Sequence, residues 1–155
     1  EYRQDFLDTD SSMDGCGPLR RYEDPITYIS ECKKYLNPET LPDGTVIATQ
    51  FLYVRKADMR LVGMIQVRHY FNDYLSKYGG HIGYSVKPSE RRKGYATSML
   101  NAVLPYCKEI GLEGNIGSEK AILNNGGVYE STVYEPRRKF RMKRHKLKRF
   151  WICGR

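Results

Sequence analysis

Val86-Lys87-Pro88-Ser89-Glu90-Arg91-Arg92-Lys93-Gly94-Tyr95-Ala96-Thr97 is the stretch on which the reading of this chain turns. On its N-terminal side, Gly80 to Val86 reads as a strand that Pro88 must end, because proline has no N–H to give a ladder. On its C-terminal side, Ala96, Met99, Leu100, Val103, Leu104, Cys107 and Ile110 recur at helical spacing. They predict an amphipathic helix of about four turns over Tyr95 to Ile110, with a kink at Pro105 and a stop at Gly111. A strand, a short polar loop and a long helix in that order present the free first-turn amides of the helix, with their partial positive charge, to an anion. Gly94 lets the backbone come close to such a ligand, Ala96 keeps the helix start narrow, and Arg91, Arg92 and Lys93 add charge. Gly94 and the three cations alone fit a basic helix start with a routine glycine somewhat better than a ligand site. The strand–loop–helix setting favours a phosphate site.

Working outward, Thr45 to Arg55 and Leu61 to Arg68 are rich in β-branched and aromatic residues and are joined by a polar turn at Lys56 to Arg60, which predicts an antiparallel hairpin. Asn72 to Tyr78 is a polar and aromatic connection with room for a helical turn. Further upstream, Pro25 suits a first helical turn and Ile26, Ile29, Cys32, Lys33 and Leu36 follow at helical spacing. Pro38 and Pro42-Asp43-Gly44 then impose loop and turn, Ser11 to Pro18 reads as loop, and Glu1 to Leu7 as the end of a helix. Downstream, a helix is expected over Ile116 to Asn124, opened by Asn115 or Ser118 and stopped by Gly126-Gly127. Strands follow at Val128 to Tyr134 and Phe150 to Cys153. The order gives an α+β (α/β) domain: a mixed, mainly antiparallel central sheet flanked by helices. One domain over 1–155 is expected, helical over about 1–44 and with the binding core over about 45–155.

The bulk properties exclude several classes. No run of about 18 apolar residues is present to span a bilayer, and no signal-peptide pattern opens the sequence, so a cytoplasmic protein without membrane contact is expected. Cys16, Cys32, Cys107 and Cys153 are far apart and form no CxxC pair, which argues for reduced thiols and against a metal site. The formal net charge of +8 is local: of 26 Lys and Arg, nine lie between Arg137 and Arg149, leaving 17 against 18 acidic residues elsewhere. That run reads first as a solvated hairpin loop between the last two strands. Recruitment of an acidic partner, such as RNA, a protein tail or an anionic membrane surface, is the second reading, favoured by the interleaved Phe140, Met142 and Leu147.

Arg91-x-x-Gly94-x-Ala96 resembles the (Gln/Arg)-x-x-Gly-x-(Gly/Ala) motif of the GCN5-related N-acetyltransferases. Asn115-Ile116-Gly117-Ser118, followed by Asn125-Gly126-Gly127, is similar to that family's Asn-x-x-(Ala/Ser) helix and its terminal glycine. Gly79-Gly80-His81-Ile82-Gly83-Tyr84 and Arg149-Phe150-Trp151-Ile152 are similar to one bacterial branch, and the likeness covers roughly Thr45 to Cys153. The resemblance implies acetyl-coenzyme A as co-substrate and no metal. Its pyrophosphate would lie at Arg91, Arg92, Lys93, Gly94, Tyr95, Ala96 and Thr97, its pantetheine arm along the backbone of Tyr84, Ser85 and Val86, and Asn115 and Ser118 would complete the site. It implies acetyl transfer to a primary amine of a small molecule or peptide, with an oxyanion donor from a backbone N–H near Val86. A homodimer is compatible with it. Nucleic acid is not the expected partner, although the basic run leaves it open.

An attacking amine must be neutral, which requires a base or a water chain leading to one. His81, at the head of the candidate strand, and His69, at the end of the preceding one, have suitable chemistry, although a lone histidine is more often a hydrogen-bonded structural residue. Asp73 and Glu130 are carboxylates that the sequence does not rank. Two departures from the family pattern stand out. Seven residues after Asn115, where many members carry a proton-donating Tyr, stands Ile122. Tyr84, Tyr129 and Tyr134 replace it by type only. The family also has a strand between the helix ending near Gly111 and the helix at Asn115, for which Leu112-Glu113-Gly114 leaves no room; about eight to ten further residues would be needed at Glu113–Gly114. A non-catalytic acyl-coenzyme A or nucleic-acid binding module is therefore the alternative function, and Ile122 is its best argument.

Overall fold

The computed structural model describes residues 1–112, 128–140 and 143–151, the last two ranges as backbone. Its elements in chain order are α1 (Tyr2–Asp8), α2 (Pro25–Lys33), β1 (Ala48–Arg55), β2 (Arg60–Arg68), α3 (Asp73–Tyr78), β3 (Ile82–Val86), α4 (Tyr95–Glu109), β4 (Val128–Phe140) and β5 (Lys143–Trp151).

The expected hairpin is β1 and β2, paired antiparallel from Ala48↔Arg68 to Arg55↔Arg60 with an irregularity at Tyr53/Val54. The Arg55 guanidinium closes its turn with two bonds to the Asp58 carboxylate, at 2.9 and 2.6 Å. β3 pairs with the other edge of β2, from Gly63↔Val86 to Val67↔Ile82, so the sheet order is β1-β2-β3. Successive strand residues face opposite sides. Ile65, Val67, Ile82 and Val86 meet Met99, Leu100, Val103 and Cys107 of α4 in one core. Met64 faces the other way, into a second core with Tyr2, Phe6, Cys16, Leu19 and Tyr28. The three-stranded sheet is thus covered on both faces, and burying Phe6 completely is worth about 1.5–3 kcal/mol. Gly63 lies directly under Met99 of α4, whose thioether would have to move to admit a Cβ there.

Several expectations need correction. α2 forms where Pro25 places it, with Asp24 capping the Thr27 N–H at 2.7 Å. Its aliphatic stripe points outward, however: Ile26 is 79% exposed and Ile29 49%. The buried contact is made by Tyr28, whose hydroxyl donates to the Cys16 carbonyl at 3.1 Å, and Tyr28, Cys32 and Tyr35 form a stripe with the same helical period. Downstream, β4 and β5 form a separate two-stranded antiparallel sheet that runs to Phe140↔Lys143. Apart from residues 141–142, the basic run therefore lies within paired strands and not in a loop. The register sets Lys139 opposite Arg144, Tyr134 opposite Lys146 and Thr132 opposite Lys148. A run of cations does not by itself distinguish a paired strand from a loop, which is why the charge pattern misleads. Every described ladder is antiparallel. The helix expected over 116–124, its residues Asn115, Ser118 and Ile122, the junction at Glu113–Gly114, and Cys153 lie outside the described residues. Cys16, Cys32 and Cys107 are free thiols.

Candidate functional site

The site begins at the edge of β3. The Arg68 N–H reaches the His81 carbonyl at 2.7 Å and the Lys87 N–H reaches the Val62 carbonyl at 2.9 Å, so residues 81, 83, 85 and 87 direct their backbone groups toward β2. By the same alternation Ile82, Tyr84 and Val86 direct theirs outward, and among the described residues no strand pairs with that edge. An extended ligand can add there as a further strand. Tyr84 and Val86 are the residues whose backbone groups turn away from β2. Ser85 is not: its backbone belongs to the β2 ladder, its carbonyl also accepts from Tyr2 Oη at 3.1 Å, and its hydroxyl lies 2.9 Å from Cys16 Sγ. Ser85 therefore fastens α1 and the following loop to the sheet. Burial pushes the Cys16 thiol up to about 11, so it is not a reactive thiolate.

β3 leads directly into the loop. Pro88–Glu90 forms a single 3-10 turn, and α4 starts at Tyr95 behind Gly94, which has φ 82°. No side chain caps α4, and the Ser98 N–H is the first to close a helical bond, reaching the Gly94 carbonyl at 3.1 Å. The amides of the preceding turn are therefore presented to an incoming group. A Cβ at Gly94 would meet nothing within 4 Å, so the space beside the glycine is open. Arg92 holds the left-handed region at φ 67°, an uncommon and costly conformation for a long side chain. Ala96 and Tyr95 pack their apolar parts against the α4 core. The Thr97 hydroxyl makes no hydrogen bond among the described residues.

The three cations are not equivalent, as the sequence had suggested. Lys93 Nζ is held by the Glu90 carboxylate at 2.7 Å, and Glu90 also takes Arg55 Nη1 at 2.9 Å. Hydrogen bonds from Lys93 and Arg55 hold that carboxyl below its usual range. Arg91 Nε donates to the Val86 carbonyl at 3.3 Å and its guanidinium sits 5.7 Å from the Phe6 ring centroid. Arg92 is exposed and makes no ion pair or hydrogen bond among the described residues, which leaves it as the cation available to a phosphate. α1 braces the whole loop: the Asp5 carboxylate accepts from the Ser89 N–H at 3.0 Å and its hydroxyl at 2.7 Å, and Lys87 Nζ meets Glu1 at 2.8 Å. Arg55, Glu90 and Asp5 are the residues that sequence reasoning missed. Their partners lie 35 to 84 residues away, and a single acid inside a basic run was the only local signal.

His81 stands just before β3, at the end remote from the phosphate loop. It is 9% exposed, stacks on Phe71 at 4.0 Å, and donates Nδ1–H to the Arg68 carbonyl at 2.8 Å. His69 sits elsewhere: its Nε2 lies 2.9 Å from the Thr49 hydroxyl and 3.3 Å from that of Tyr106, in a knot that ties β1 to α4. Burial, and then the neighbouring His81, push its pKa down. Asp73 is exposed in the first turn of α3. The structure thus gathers Tyr84, Val86, Arg91, Arg92, Gly94, Tyr95, Ala96 and Thr97 along one line from the β3 edge to the α4 N-terminus, and leaves His69 outside it. Among the described residues no cluster of His, Cys, Asp and Glu is suited to a metal ion, and no helix is long and apolar enough to cross a membrane.

A strand edge with no described partner strand thus runs into an uncapped, glycine-led helix. Residues 20–126 match the model of the Acetyltransferase (GNAT) family, more than half of the chain, and the protein belongs to that family. No curated protein and no solved structure gives a significant match.

Proposed function

We propose that the protein transfers an acetyl group from acetyl-coenzyme A to a primary amine. The observation that carries this reading is the continuous line from the outward amides of Tyr84 and Val86 to the uncapped first turn of α4, with Arg92 uncommitted beside it. The residues fit the molecule: a strand edge for an amide-containing arm, and amides with a cation for a pyrophosphate. When bound, acetyl-coenzyme A supplies an acyl carbon activated as a thioester.

This chain's groups then act in three ways. The edge amides hold the acyl arm, and an amide such as that of Val86 offers a preorganised donor to charge developing on the acyl oxygen. His81 serves as the base through a chain of water molecules, because five residues of extended strand, about 16 Å, separate it from the Val86 amide. With Nδ1–H committed to the Arg68 carbonyl, the neutral ring keeps its lone pair on Nε2. The acceptor nitrogen, once neutral, forms its bond to the acyl carbon as the carbon–sulfur bond breaks. The electron pair leaves on sulfur, and the proton lost by nitrogen passes to Nε2 and from there to solvent or the leaving thiolate.

The test is a melt with acetyl-coenzyme A, followed by free-thiol release over a panel of amines. At a hundredfold excess over Kd, binding adds about 2.7 kcal/mol, a rise in Tm of roughly 5–10 °C for a chain of this size. No shift with any coenzyme A ester refutes the proposal. A shift without turnover on any amine establishes the non-catalytic acyl-coenzyme A module instead. His81→Gln is expected to lower the rate of thiol release by about a hundredfold or more while leaving acetyl-coenzyme A affinity unchanged.

A further inference from the structure

The register of the β4–β5 ribbon sorts the basic run onto two unlike faces. Both irregularities fall in β4, so β5 alternates without a break from Lys143 to Trp151. Residues directly opposite each other in an antiparallel pair share a face. One face holds Leu147 and Trp151 opposite Val133 and Val128, and its two cations, Lys143 and Arg149, share it with Glu135. The other holds Arg144, Lys146 and Lys148 opposite Lys139, Tyr134 and Thr132, and continues to Phe150 opposite Tyr129. This second face therefore has four cations, three aromatic residues and, among the paired residues, no acid. Arg137 and Arg138 fall in the irregularity between Glu135 and Lys139 and belong to neither face.

That sorting has a chemical direction. Same-face positions along a strand recur about every 6.8 Å, so Arg144, Lys146 and Lys148 form an evenly spaced row of charge. Lys139 stands directly opposite Arg144, and like charges so placed destabilise a ladder. An anion laid along the row relieves that repulsion, and a row calls for an anion that repeats. A line of cations two strands wide follows a linear polymer better than a plane of headgroups. The aromatic residues choose among linear polymers. Tyr129, Tyr134 and Phe150 share the face with the cations, which suits a chain that alternates phosphates with flat bases. An acidic peptide offers nothing to stack. In a duplex the base faces are covered by their neighbours, so an unpaired strand is the better match.

We infer that this second face of the β4–β5 ribbon binds single-stranded nucleic acid. Lys139, Arg144, Lys146 and Lys148 take the phosphates, and Tyr129, Tyr134 and Phe150 receive bases. The binding tolerates any sequence, because phosphate contacts and stacking carry no base code. Four neutralised phosphates on a single strand give log K a slope of about −2.8 against log salt. The inference goes beyond acetyl transfer and does not depend on it, since none of these residues belongs to the line from β3 to α4.

Fluorescence anisotropy of the full chain with a labelled mixed-sequence RNA of about 16 nucleotides, the DNA strand of the same sequence and the annealed duplex tests it. At about 50 mM salt a micromolar Kd is expected for the single strands, weakening about fiftyfold by about 200 mM, with the duplex held less tightly. Lys146→Gln combined with Lys148→Gln should weaken the RNA by about tenfold or more and flatten the salt slope by about 1.4. Lys143→Gln combined with Arg149→Gln removes the same charge from the other face and should change Kd by less than about threefold. Tyr134→Leu should weaken it by about fivefold or more. Should a double variant fail to fold, Tyr134→Leu and the salt slope of the parent carry the test. No binding at about 100 µM protein overturns the inference. So do equal losses in the two charge-matched variants, and a duplex held as tightly as the single strand. Displacement of the RNA by polyglutamate or phosphatidylserine vesicles at equal charge overturns it in favour of an acidic protein or a membrane. Displacement by acetyl-coenzyme A overturns it by placing the RNA at the α4 N-terminus. Failure of the parent to bind acetyl-coenzyme A, with RNA binding intact, sinks the acetyl-transfer reading alone.

Discussion

Replacing Gly94 by Ala separates two consequences of one methyl group. Gly94 sits at φ 82°, and no protein atom lies within 4 Å of where its Cβ would be. The protein alone therefore feels only the backbone penalty, about 1–2 kcal/mol for an L-residue in the left-handed region. About 0.4–1 kcal/mol of that is returned because alanine loses less freedom on folding than glycine. A net loss of about 0.5–1.5 kcal/mol lowers Tm by roughly 1–6 °C in a chain of this length. The methyl also enters the open space where the pyrophosphate is proposed to approach, and acetyl-coenzyme A affinity should fall by about tenfold or more, some 1.4 kcal/mol. Gly111→Ala supplies a matched control: φ is 73°, its Cβ would also meet nothing within 4 Å, and it lies at the far end of α4. Thermal melts should rank the two variants together, and calorimetry with acetyl-coenzyme A should separate them. If Gly94→Ala binds within about twofold of the parent, or if Gly111→Ala loses as much affinity, the placement of the phosphate at the α4 N-terminus is refuted.

Three further outcomes follow from the bracing of the site. Asp5→Ala removes the acceptor for two Ser89 bonds and should cost about 0.5–1 kcal/mol of stability, read from urea unfolding, with a severalfold loss of acetyl-coenzyme A affinity; unchanged affinity would mean that α1 does not position the loop. Hydrogen bonding to Arg55 holds the Asp58 carboxyl near 2, and Lys93 and Arg55 hold that of Glu90 below 4.5, so their stabilisation is present above about pH 4.5 and lost as pH falls toward 2. Asp58→Asn should flatten that acid limb, and an unaltered slope in pH-dependent melts would count against the pairing. His69 has the opposite charge type: burial lowers its pKa from 6.5, so the native state resists protonation and stability drops as pH falls below about 6.5. His69→Gln should lessen that drop, and an identical profile would show that the knot with Thr49 and Tyr106 is not strained by protonation.

What the sequence disclosed depended on how local the cause was. The β1–β2 hairpin and α4 were legible because alternation and a 3.6-residue period are properties of neighbouring residues. Gly94 was legible because a glycine between a proline-terminated strand and an apolar helix has few other uses. The inward face of α2 was not, since Ile26-Ile29-Lys33-Leu36 and Tyr28-Cys32-Tyr35 share one period. Only the tertiary partners Cys16 and Met64, which the Tyr28 hydroxyl reaches, decide between them. The division of labour among Arg91, Arg92 and Lys93 was hidden because it is set by Glu90, Arg55 and Phe6, which meet only in the folded chain. Ser85 read as part of the ligand strand until the ladder fixed which residues turn their amides outward.

The contacts of α1 also set a timetable. Tyr2, Asp5 and Glu1 find their partners in Ser85, Ser89 and Lys87, which lie 83 to 86 residues further along the chain. At roughly 5–20 residues per second of synthesis, the first helix waits about 4–17 s for the segment it will brace. Asp5 and Glu1 have no loop to hold for that interval, whereas Arg55 and β2 are already made when the loop emerges. Closing the longest connection in the described fold and finishing the ligand site are thus one event, and the yield of competent protein should follow how well the nascent N-terminal helix is kept from other partners meanwhile.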